Sequence, residues 1–173
     1  MLDLKGLIRD VPDFPKAGIV FRDITPLLAN GPAWRETVNY VAERYRHRID
    51  VVLGVESRGF LIGSAVAYAI GCGIAVVRKP GKLPAATFQT SYTLEYGTDT
   101  LEIHQDAFVP GSRILVVDDL LATGGTAQAA LSLVQQLRGE VVEAAFIIEL
   151  TFLGGRQRIA PCEVFSLIQY DSE

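Results

Sequence analysis

Cysteine and histidine are scarce in this sequence, and their scarcity excludes several classes of protein. The two cysteines, Cys72 and Cys162, lie far apart and form no CxxC pattern, so a disulfide framework is excluded. We therefore expect two reduced thiols in a cytoplasmic protein. The two histidines, His47 and His104, lie outside the motifs described below, and the sequence shows no cluster of metal ligands.

Basic residues are also in the minority. The 16 lysines and arginines are outnumbered by 20 aspartates and glutamates, which gives a net charge of −4. A broad basic face for duplex nucleic acid is not expected of such a chain, although a local basic cluster is compatible with it. Hydrophobic residues make up 49% of the 173 residues and charged residues 21%, a composition typical of one globular domain with a sizeable core.

Charged residues are absent from one long stretch, Phe60 to Val77, whose length approaches that of a membrane span. Three glycines, Gly63, Gly71 and Gly73, interrupt it. We predict a buried helix and a buried strand joined by a turn at residues 71–73, and no membrane association. The N-terminal residues also lack the pattern of a signal peptide.

Short apolar strands alternate with helices through most of the chain. We predict strands at Val51–Val55, Ile74–Val77, Arg113–Val117 and Val141–Leu150, and helices at about Gly31–Arg46, Phe60–Ile70 and Thr126–Leu137. Such strands indicate an α/β fold with an open, mostly parallel sheet and helices on both faces. An irregular N-terminal segment leads to a short strand at Ile19–Phe21. The long polar stretch from Lys79 to Pro110 predicts a lid or hairpin over a site.

The segment "VVDDLLATGGTA", Val116 to Ala127, combines an acid pair with a loop of small residues. Asp118 and Asp119 follow a predicted strand, and the loop leads into a helix N-terminus, where free N–H groups favour an anion. The loop lacks the patterns of a P-loop and of a dinucleotide fold, so it suits a lone phosphate. Carboxylates accept hydrogen bonds from sugar hydroxyls, so the segment fits a sugar 5-phosphate. The alternative is a solvated Asp-Asp turn.

A second candidate anion site follows the neighbouring strand at Gly54–Phe60. There Arg58 supplies a forked cation and Gly59 a close approach of the backbone. Two such sites at neighbouring strand ends suggest a sugar that is phosphorylated at both ends. A third basic cluster, Arg78-Lys79-Pro80-Gly81-Lys82, is equally compatible with a phosphate contact and with a solvated loop.

These segments resemble the type I phosphoribosyltransferase family, and over nearly the whole chain its adenine-specific members. The resemblance is carried by "VVDDLLATGGTA" together with "PDFPKAGIVFRDITPLL", "GVESRGFLIG", "RKPGKLP", "SYTLEYGTDTLEIH" and "ELTFLGGR". It implies the conversion of adenine and 5-phosphoribosyl 1-diphosphate to AMP and diphosphate in purine salvage, with Mg²⁺ held mainly through diphosphate and water and with no direct protein ligand. It also implies one domain over residues 1–173, with a hood at about 1–30 and a mobile lid at about 80–106, and a homodimer.

The resemblance also implies a role for each site residue. Phosphoribosyl contacts are implied for Asp118, Asp119, Ala122, Thr123, Gly124, Gly125 and Thr126; diphosphate contacts for Glu56, Ser57, Arg58, Arg78, Lys79 and Lys82; and adenine contacts for Val20, Phe21, Arg22 and Leu150. Arg58 and Glu95 are the implied catalytic residues, and Glu95 and Tyr96 would lie on the lid. The Glu56–Ser57 bond would be a non-proline cis peptide.

Ala122 bears on which base is used. Members of the family that act on 6-oxopurines typically have an aspartate there, so the alanine favours adenine over hypoxanthine and guanine. It also moves the acid/base role elsewhere, and Glu95 is the nearest candidate by pattern. Two alternatives stay open: a transferase for another purine such as xanthine, and a non-catalytic phosphoribosyl-binding regulator of nucleic acid expression.

Overall fold

A five-stranded parallel sheet forms the centre of the protein. The computed structural model describes residues 3–94 and 97–172. The sheet strands are β3 (Val51–Val55), β4 (Gly73–Val77), β7 (Arg113–Leu121), β8 (Glu140–Leu150) and β9 (Val164–Tyr170). Their order is β4-β3-β7-β8-β9, and every neighbouring pair is parallel. The predicted α/β fold is therefore confirmed.

Helices and two antiparallel pairs complete the structure. The helices are α1 (Thr25–Ala29), α2 (Gly31–Tyr45), α3 (Arg58–Ile70), α4 (Gly125–Gln136) and the short α5 (Gly155–Arg158), with 3-10 turns at Lys5–Leu7 and Thr151–Leu153. Strands β1 (Arg9–Val11) and β2 (Phe21–Asp23) form one antiparallel pair, and β5 (Thr87–Leu94) and β6 (Gly97–His104) form a hairpin. None of the helices in the described part of the chain has the length and apolar composition needed to cross a membrane.

The core lies on both faces of the sheet. On one face Leu53 and Val116 pack with α4 and with residues of the hairpin. On the other face Val52 and Leu115 pack with α2 and α3. Successive residues of a strand point to opposite faces, so a strand covered on both sides must be apolar throughout. This is why the strands read as continuous apolar runs rather than as alternating ones.

Helix α2 begins close to its predicted position because the local sequence supplies a cap. The side chain of Asn30 accepts a hydrogen bond from the Ala33 N–H at 3.1 Å, and Pro32 lies in the first turn, where its missing N–H costs nothing. Helix α4 begins at Gly125, directly after Gly124 with φ at +81°. Glycine adopts this left-handed conformation without a steric penalty, which permits the sharp change of direction from strand to helix.

Three predicted boundaries were wrong. The N-terminal strand is Phe21–Asp23 rather than Ile19–Phe21, since it pairs with β1 in the register Asp10↔Arg22 and an ion pair joins those two side chains. Strand β7 continues to Leu121 because β8 pairs with it that far, so Asp118 and Asp119 lie within the strand rather than after it. Helix α3 begins at Arg58, two residues before its predicted start at Phe60.

The C-terminal strand β9 was not predicted at all. The long polar stretch from Lys79 to Pro110 does contain a hairpin, with register from Thr87↔His104 to Leu94↔Gly97. Its mobility and its function as a lid stay predictions. Glu95 and Tyr96, which were predicted to lie on this lid, fall outside the described residues.

Candidate active site

The two predicted anion sites meet in one cavity of about 360 Å³ at the carboxyl ends of β3 and β7. These strands are neighbours, with Gly54 paired to Val117, so the loops that follow them lie side by side. The cavity is lined by Glu56, Ser57, Arg58, Lys79, Tyr92, Asp99, Leu101, the run Asp118 to Ala127, and Phe146. The predicted residues Val20, Phe21, Arg22, Arg78, Lys82 and Leu150 are not among its lining residues.

Gly59 allows the two strand ends to approach each other. A Cβ atom on Gly59 would lie 2.7 Å from the carbonyl oxygen of Val117 and 3.1 Å from Oδ1 of Asp118. Any larger residue would therefore separate α3 from the acidic strand. Gly59 thus permits a close approach between α3 and β7, and the predicted approach of its backbone to an anion stays a prediction.

The environment of the acid pair offsets part of the repulsion between its two carboxyl groups. The Nε of Arg58 donates to Oδ2 of Asp119, which is buried with 5% of its surface exposed. Burial of the Asp118 carboxyl and the negative charge of Asp119 raise the pKa of Asp118 well above its usual range. The cation of Arg58 thus compensates the charge of Asp119, and burial makes the ionised form of Asp118 less favourable. Two acids can therefore lie beside a phosphate loop at a moderate electrostatic cost.

The small-residue loop leads from β7 into the N-terminus of α4. The first N–H groups of a helix have no partner within it, and the helix dipole favours negative charge there. The hydroxyl of Thr126 donates to the Tyr92 hydroxyl at 3.3 Å, and Tyr92 in turn donates to Oδ2 of Asp99 at 3.3 Å. The loop is therefore joined to the hairpin by a chain of hydrogen bonds.

Glu56 organises the basic cluster after β4. Its Oε1 accepts from Arg78 at 3.1 Å and from the amine of Lys82 at 2.9 Å, and its Oε2 accepts from the Lys79 N–H at 2.9 Å. Burial alone would raise the pKa of Glu56, but these three donors lower it to about 2. The amine of Lys79 pairs with Asp99. The cluster is therefore held against the strand end and is not a freely solvated loop.

The hood residues lie on the other side of Arg58. The Phe21 ring centroid is 5.2 Å from the guanidinium carbon of Arg58, within range of a cation–π contact, and 5.2 Å from the ring of Phe14. The Arg22 side chain is buried against Asp10 and the ring of Tyr170, so its guanidinium is engaged within the fold. Val20 immediately precedes β2, and Leu150 ends β8.

Seven residues that line the cavity were not predicted from the sequence, namely Tyr92, Asp99, Leu101, Leu120, Leu121, Ala127 and Phe146. Tyr92 and Asp99 are opposite each other in the hairpin, a pairing that depends on where the turn falls. Leu120 lies beside the predicted acid pair and could have been found from that adjacency. The predicted cis peptide bond between Glu56 and Ser57 is confirmed.

Comparisons with known proteins agree with this geometry. The phosphoribosyl transferase domain family matches residues 27–170. An adenine phosphoribosyltransferase from Chloroflexus aurantiacus is 57% identical, over 97% of this chain and 98% of the relative. The solved adenine phosphoribosyltransferase from Thermoanaerobacter pseudethanolicus superimposes with a TM-score of 0.94 at 48% identity, covering 96% of this chain and 98% of that one.

A third relative was solved with ligands. The enzyme from Saccharomyces cerevisiae, complexed with D-2,5-dideoxy-2,5-imino-altritol 1,6-bisphosphate and adenine, has a TM-score of 0.89 at 41% identity and covers 95% of this chain and 96% of its own. High identity over the full length, together with the same fold, shows that the chain belongs to the adenine phosphoribosyltransferase family.

Proposed function

We infer that the chain transfers the 5-phosphoribosyl group of 5-phosphoribosyl 1-diphosphate to N9 of adenine, giving AMP and diphosphate. The observation that carries this function is the meeting of the small-residue loop, the acid pair and Arg58 in one cavity. A ligand with a phosphate at each end of a sugar matches that arrangement. The ligands of the S. cerevisiae structure, a cyclic bisphosphate and adenine, are of the same two classes.

The ribose 5-phosphate half of the substrate fits the end of β7. We place the 5-phosphate in the loop Ala122–Thr126, where backbone N–H groups and the hydroxyls of Thr123 and Thr126 donate to it. Asp118 and Asp119 accept hydrogen bonds from the ribose hydroxyls. The Arg58–Asp119 contact supports this assignment, because it holds Asp119 in place at the side of the cavity that faces the second anion site.

The diphosphate half fits the end of β3. Arg58 and Lys79 line the cavity. Arg78 and Lys82 do not line it, but both donate hydrogen bonds to Glu56, which does. Arg78, Lys79 and Lys82 would exchange their carboxylate partners for diphosphate oxygens, while Arg58 would use its remaining N–H groups and keep its contact with Asp119. The backbone at Glu56 and Ser57 would also contact the diphosphate. Their charge would stabilise the leaving group while the bond between the anomeric carbon and its oxygen breaks and the bond to N9 forms.

Adenine fits the space between the sugar and the hood. Phe21 would contact the base, and Leu150 would line its apolar side. Because the Arg22 side chain is committed to Asp10 and Tyr170, we assign the polar contacts of Val20 and Arg22 to their backbone groups. Ala122 lacks a carboxyl group, so the hydrogen bond to N7 is assigned to Glu95, from the resemblance and not from geometry.

The residues present also fit a magnesium ion. Within residues 3–94 and 97–172, no group of three His, Cys, Asp or Glu side chains is placed to hold a metal. As the resemblance implies, Mg²⁺ would be held mainly through oxygens of the substrate diphosphate and water, and Asp118 and Asp119 are left to the ribose hydroxyls. When bound in this way, the ion would neutralise charge on the departing diphosphate.

We propose a homodimer formed through α3 and the edge strand β4, which pack against each other. Leu61 and Tyr68, one heptad apart on α3, are 54% and 90% exposed, and Ile74 on β4 is 41% exposed. Large apolar side chains that cluster on one surface mark an interaction site. The Arg78 guanidinium lies 5.8 Å from the ring of Phe60 on α3, so a partner on this surface would adjoin the basic cluster.

The experiment that tests the proposed function is a product analysis. The protein is incubated with adenine, 5-phosphoribosyl 1-diphosphate and Mg²⁺, and AMP and diphosphate are separated and quantified. We expect the two products in equal amounts and loss of the reaction when a chelator removes Mg²⁺. Hydrolysis of the activated sugar without AMP formation, or no consumption of adenine, would overturn the proposal.

A further inference from the structure

The loop Ala122–Thr126, called the phosphate loop below because the 5-phosphate is assigned to it, packs on the short helix α5. This helix has no role in the proposed reaction so far. A Cβ atom on Gly124 of the loop would lie 2.7 Å from the carbonyl oxygen of Gly155, and one on Gly155 would overlap the carbonyl oxygen of Ala122. The two backbones are therefore in direct contact, with no room for a side chain between them. The position of α5 consequently determines the position of the loop.

An ion pair with a buried carboxylate fixes α5. Arg156 donates from Nε to Oε1 of Glu149 at 2.9 Å, from Nη2 to Oε2 at 2.6 Å, and from Nη1 to the Val164 carbonyl at 2.8 Å. This two-point contact defines both the distance and the orientation of the guanidinium. Oε2 of Glu149 also accepts from Ser166 at 2.6 Å and from Gln169 at 3.3 Å. The carboxylate is 2% exposed and is held from β9 as well as from α5.

The ion pair lies at the same end of the sheet as the loop. Glu149 is the register partner of Leu121, the last residue of β7 before the loop begins. On its other side, α5 contacts α4 through a hydrogen bond of 3.0 Å from Arg158 to Gln128. The short helix is thus fastened to α4 directly, and to β7 through its neighbour β8.

We propose that Glu149 and Arg156 are positioning residues for the phosphate loop. By holding Gly155 beneath Ala122 and Gly124, they fix the direction of the N–H groups that receive the 5-phosphate. Neither side chain lines the cavity, so they act through the loop. The inference rests on the proposed function, because the 5-phosphate is the ligand assigned to that loop.

The chain contains a matched control for this pair. Glu143 lies on the same strand β8 and pairs with Arg44 at 3.0 Å. The exposed fractions of the arginine and glutamate side chains are 41% and 7% in the control, against 41% and 3% for Arg156 and Glu149. Glu143 is the register partner of Leu115, so it lies away from the phosphate loop. Equivalent substitutions in the two pairs separate a loss of stability from a loss of positioning.

The test measures the binding of ribose 5-phosphate by titration calorimetry. We expect Arg156→Lys and Glu149→Gln each to weaken binding about 10-fold, since small displacements of a binding group have large effects. Arg44→Lys and Glu143→Gln should change binding less than about 2-fold, while lowering the melting temperature comparably. In steady-state kinetics of Arg156→Lys and Glu149→Gln, the KM for 5-phosphoribosyl 1-diphosphate should rise, whereas the KM for adenine should not change.

Glu149→Gln also excludes a purely electrostatic explanation. If Arg156 acted through its charge, removal of the neighbouring carboxylate would strengthen phosphate binding, whereas positioning requires that it weaken. A third variant leaves the pair intact: Gly155→Ala should displace the Ala122 carbonyl and weaken binding, while Gly31→Ala, whose Cβ meets nothing within 4 Å, should not. Gly155→Ala is again expected to weaken the binding of ribose 5-phosphate about 10-fold.

The outcomes separate this inference from the proposed function. Tighter binding in Glu149→Gln, equal losses in the two ion pairs, or unchanged affinity in folded Arg156→Lys and Gly155→Ala would overturn the positioning role alone. Failure of the unsubstituted protein both to bind ribose 5-phosphate and to form AMP would overturn the proposed function and this inference with it.

Discussion

The amine of Lys82 donates to Oε1 of Glu56 across 2.9 Å, and the guanidinium of Arg78 donates to the same oxygen across 3.1 Å. One carboxylate at the end of β3 thus gathers two cations that are far from it in sequence. Such a shared contact keeps the basic cluster close to the cavity and limits the repulsion between its members. It also makes the local structure dependent on the ionisation of Glu56.

Stability should fall in acid through Glu56. Its pKa is lowered from 4.5 to about 2 in the folded protein, so the ionised group stabilises the fold above about pH 4.5, and that contribution is lost as the pH falls towards 2. Glu56→Gln removes the contribution at every pH. The difference in melting temperature between the parent and Glu56→Gln should therefore be largest near pH 6 and shrink towards pH 3. A difference that is constant or grows in acid would contradict this origin.

The acid pair should be required for AMP binding but not for folding. In Asp118→Asn/Asp119→Asn, each lost hydrogen bond to a charged group should cost about 1.5–3 kcal/mol of binding free energy. Titration calorimetry with AMP measures the loss, and circular dichroism checks the fold. Asp106→Asn is the control, because Asp106 is an exposed acid outside the cavity. Unchanged AMP affinity in the folded double variant would refute the role of the pair.

Glu95 should act as the hydrogen-bond donor to adenine N7. Glu95→Gln should keep much of the activity, since an amide also donates a hydrogen bond. Glu95→Leu should lose about 10²-fold in kcat, the usual scale for a positioned proton donor, with little change in AMP binding. Steady-state kinetics of the two variants distinguish these cases. Turnover of adenine by Glu95→Leu at the parent rate would place the donor elsewhere.

Dimer formation should depend on the apolar surface of α3. A charge in place of Tyr68, as in Tyr68→Glu, should be tolerated by the isolated fold, because the side chain is 90% exposed, but it should prevent association. Light scattering should show that Tyr68→Glu is a monomer, and an assay of AMP formation should show that its activity is reduced. Val109→Glu is the control, because Val109 is 74% exposed outside α3 and β4. A fully active monomer, either of this variant or of the parent, would argue against the dimer.

Sequence patterns predicted what depends on neighbours along the chain. The end of β3 at Val55 and the start of α2 after Asn30 follow from short motifs, and the cis bond after Glu56 was implied by the family resemblance. The N-terminal strand begins two residues later than predicted, because its position is determined by pairing with β1 and not by its own hydrophobic residues.

Contacts between distant segments could not be predicted in this way. The position of Tyr92 opposite Asp99 depends on the turn of the hairpin, and the contact of Gly155 with Ala122 depends on the pairing of β7 with β8. These are properties of register, which a single sequence specifies only through its complete fold. The segment "ELTFLGGR" therefore carried the resemblance without revealing the role of Arg156.

The choice of base distinguishes an adenine phosphoribosyltransferase from a transferase for another purine. Ala122 lines the cavity. The resemblance implies an aspartate at this position in members of the family that act on 6-oxopurines, so adenine should be the preferred base. Spectrophotometric assays with adenine, hypoxanthine, guanine and xanthine, each with 5-phosphoribosyl 1-diphosphate and Mg²⁺, give kcat/KM for every base. We predict a preference for adenine of about 10²-fold or more, within the range that specific hydrogen bonding provides. Equal or faster turnover of any of the other three bases would contradict the account.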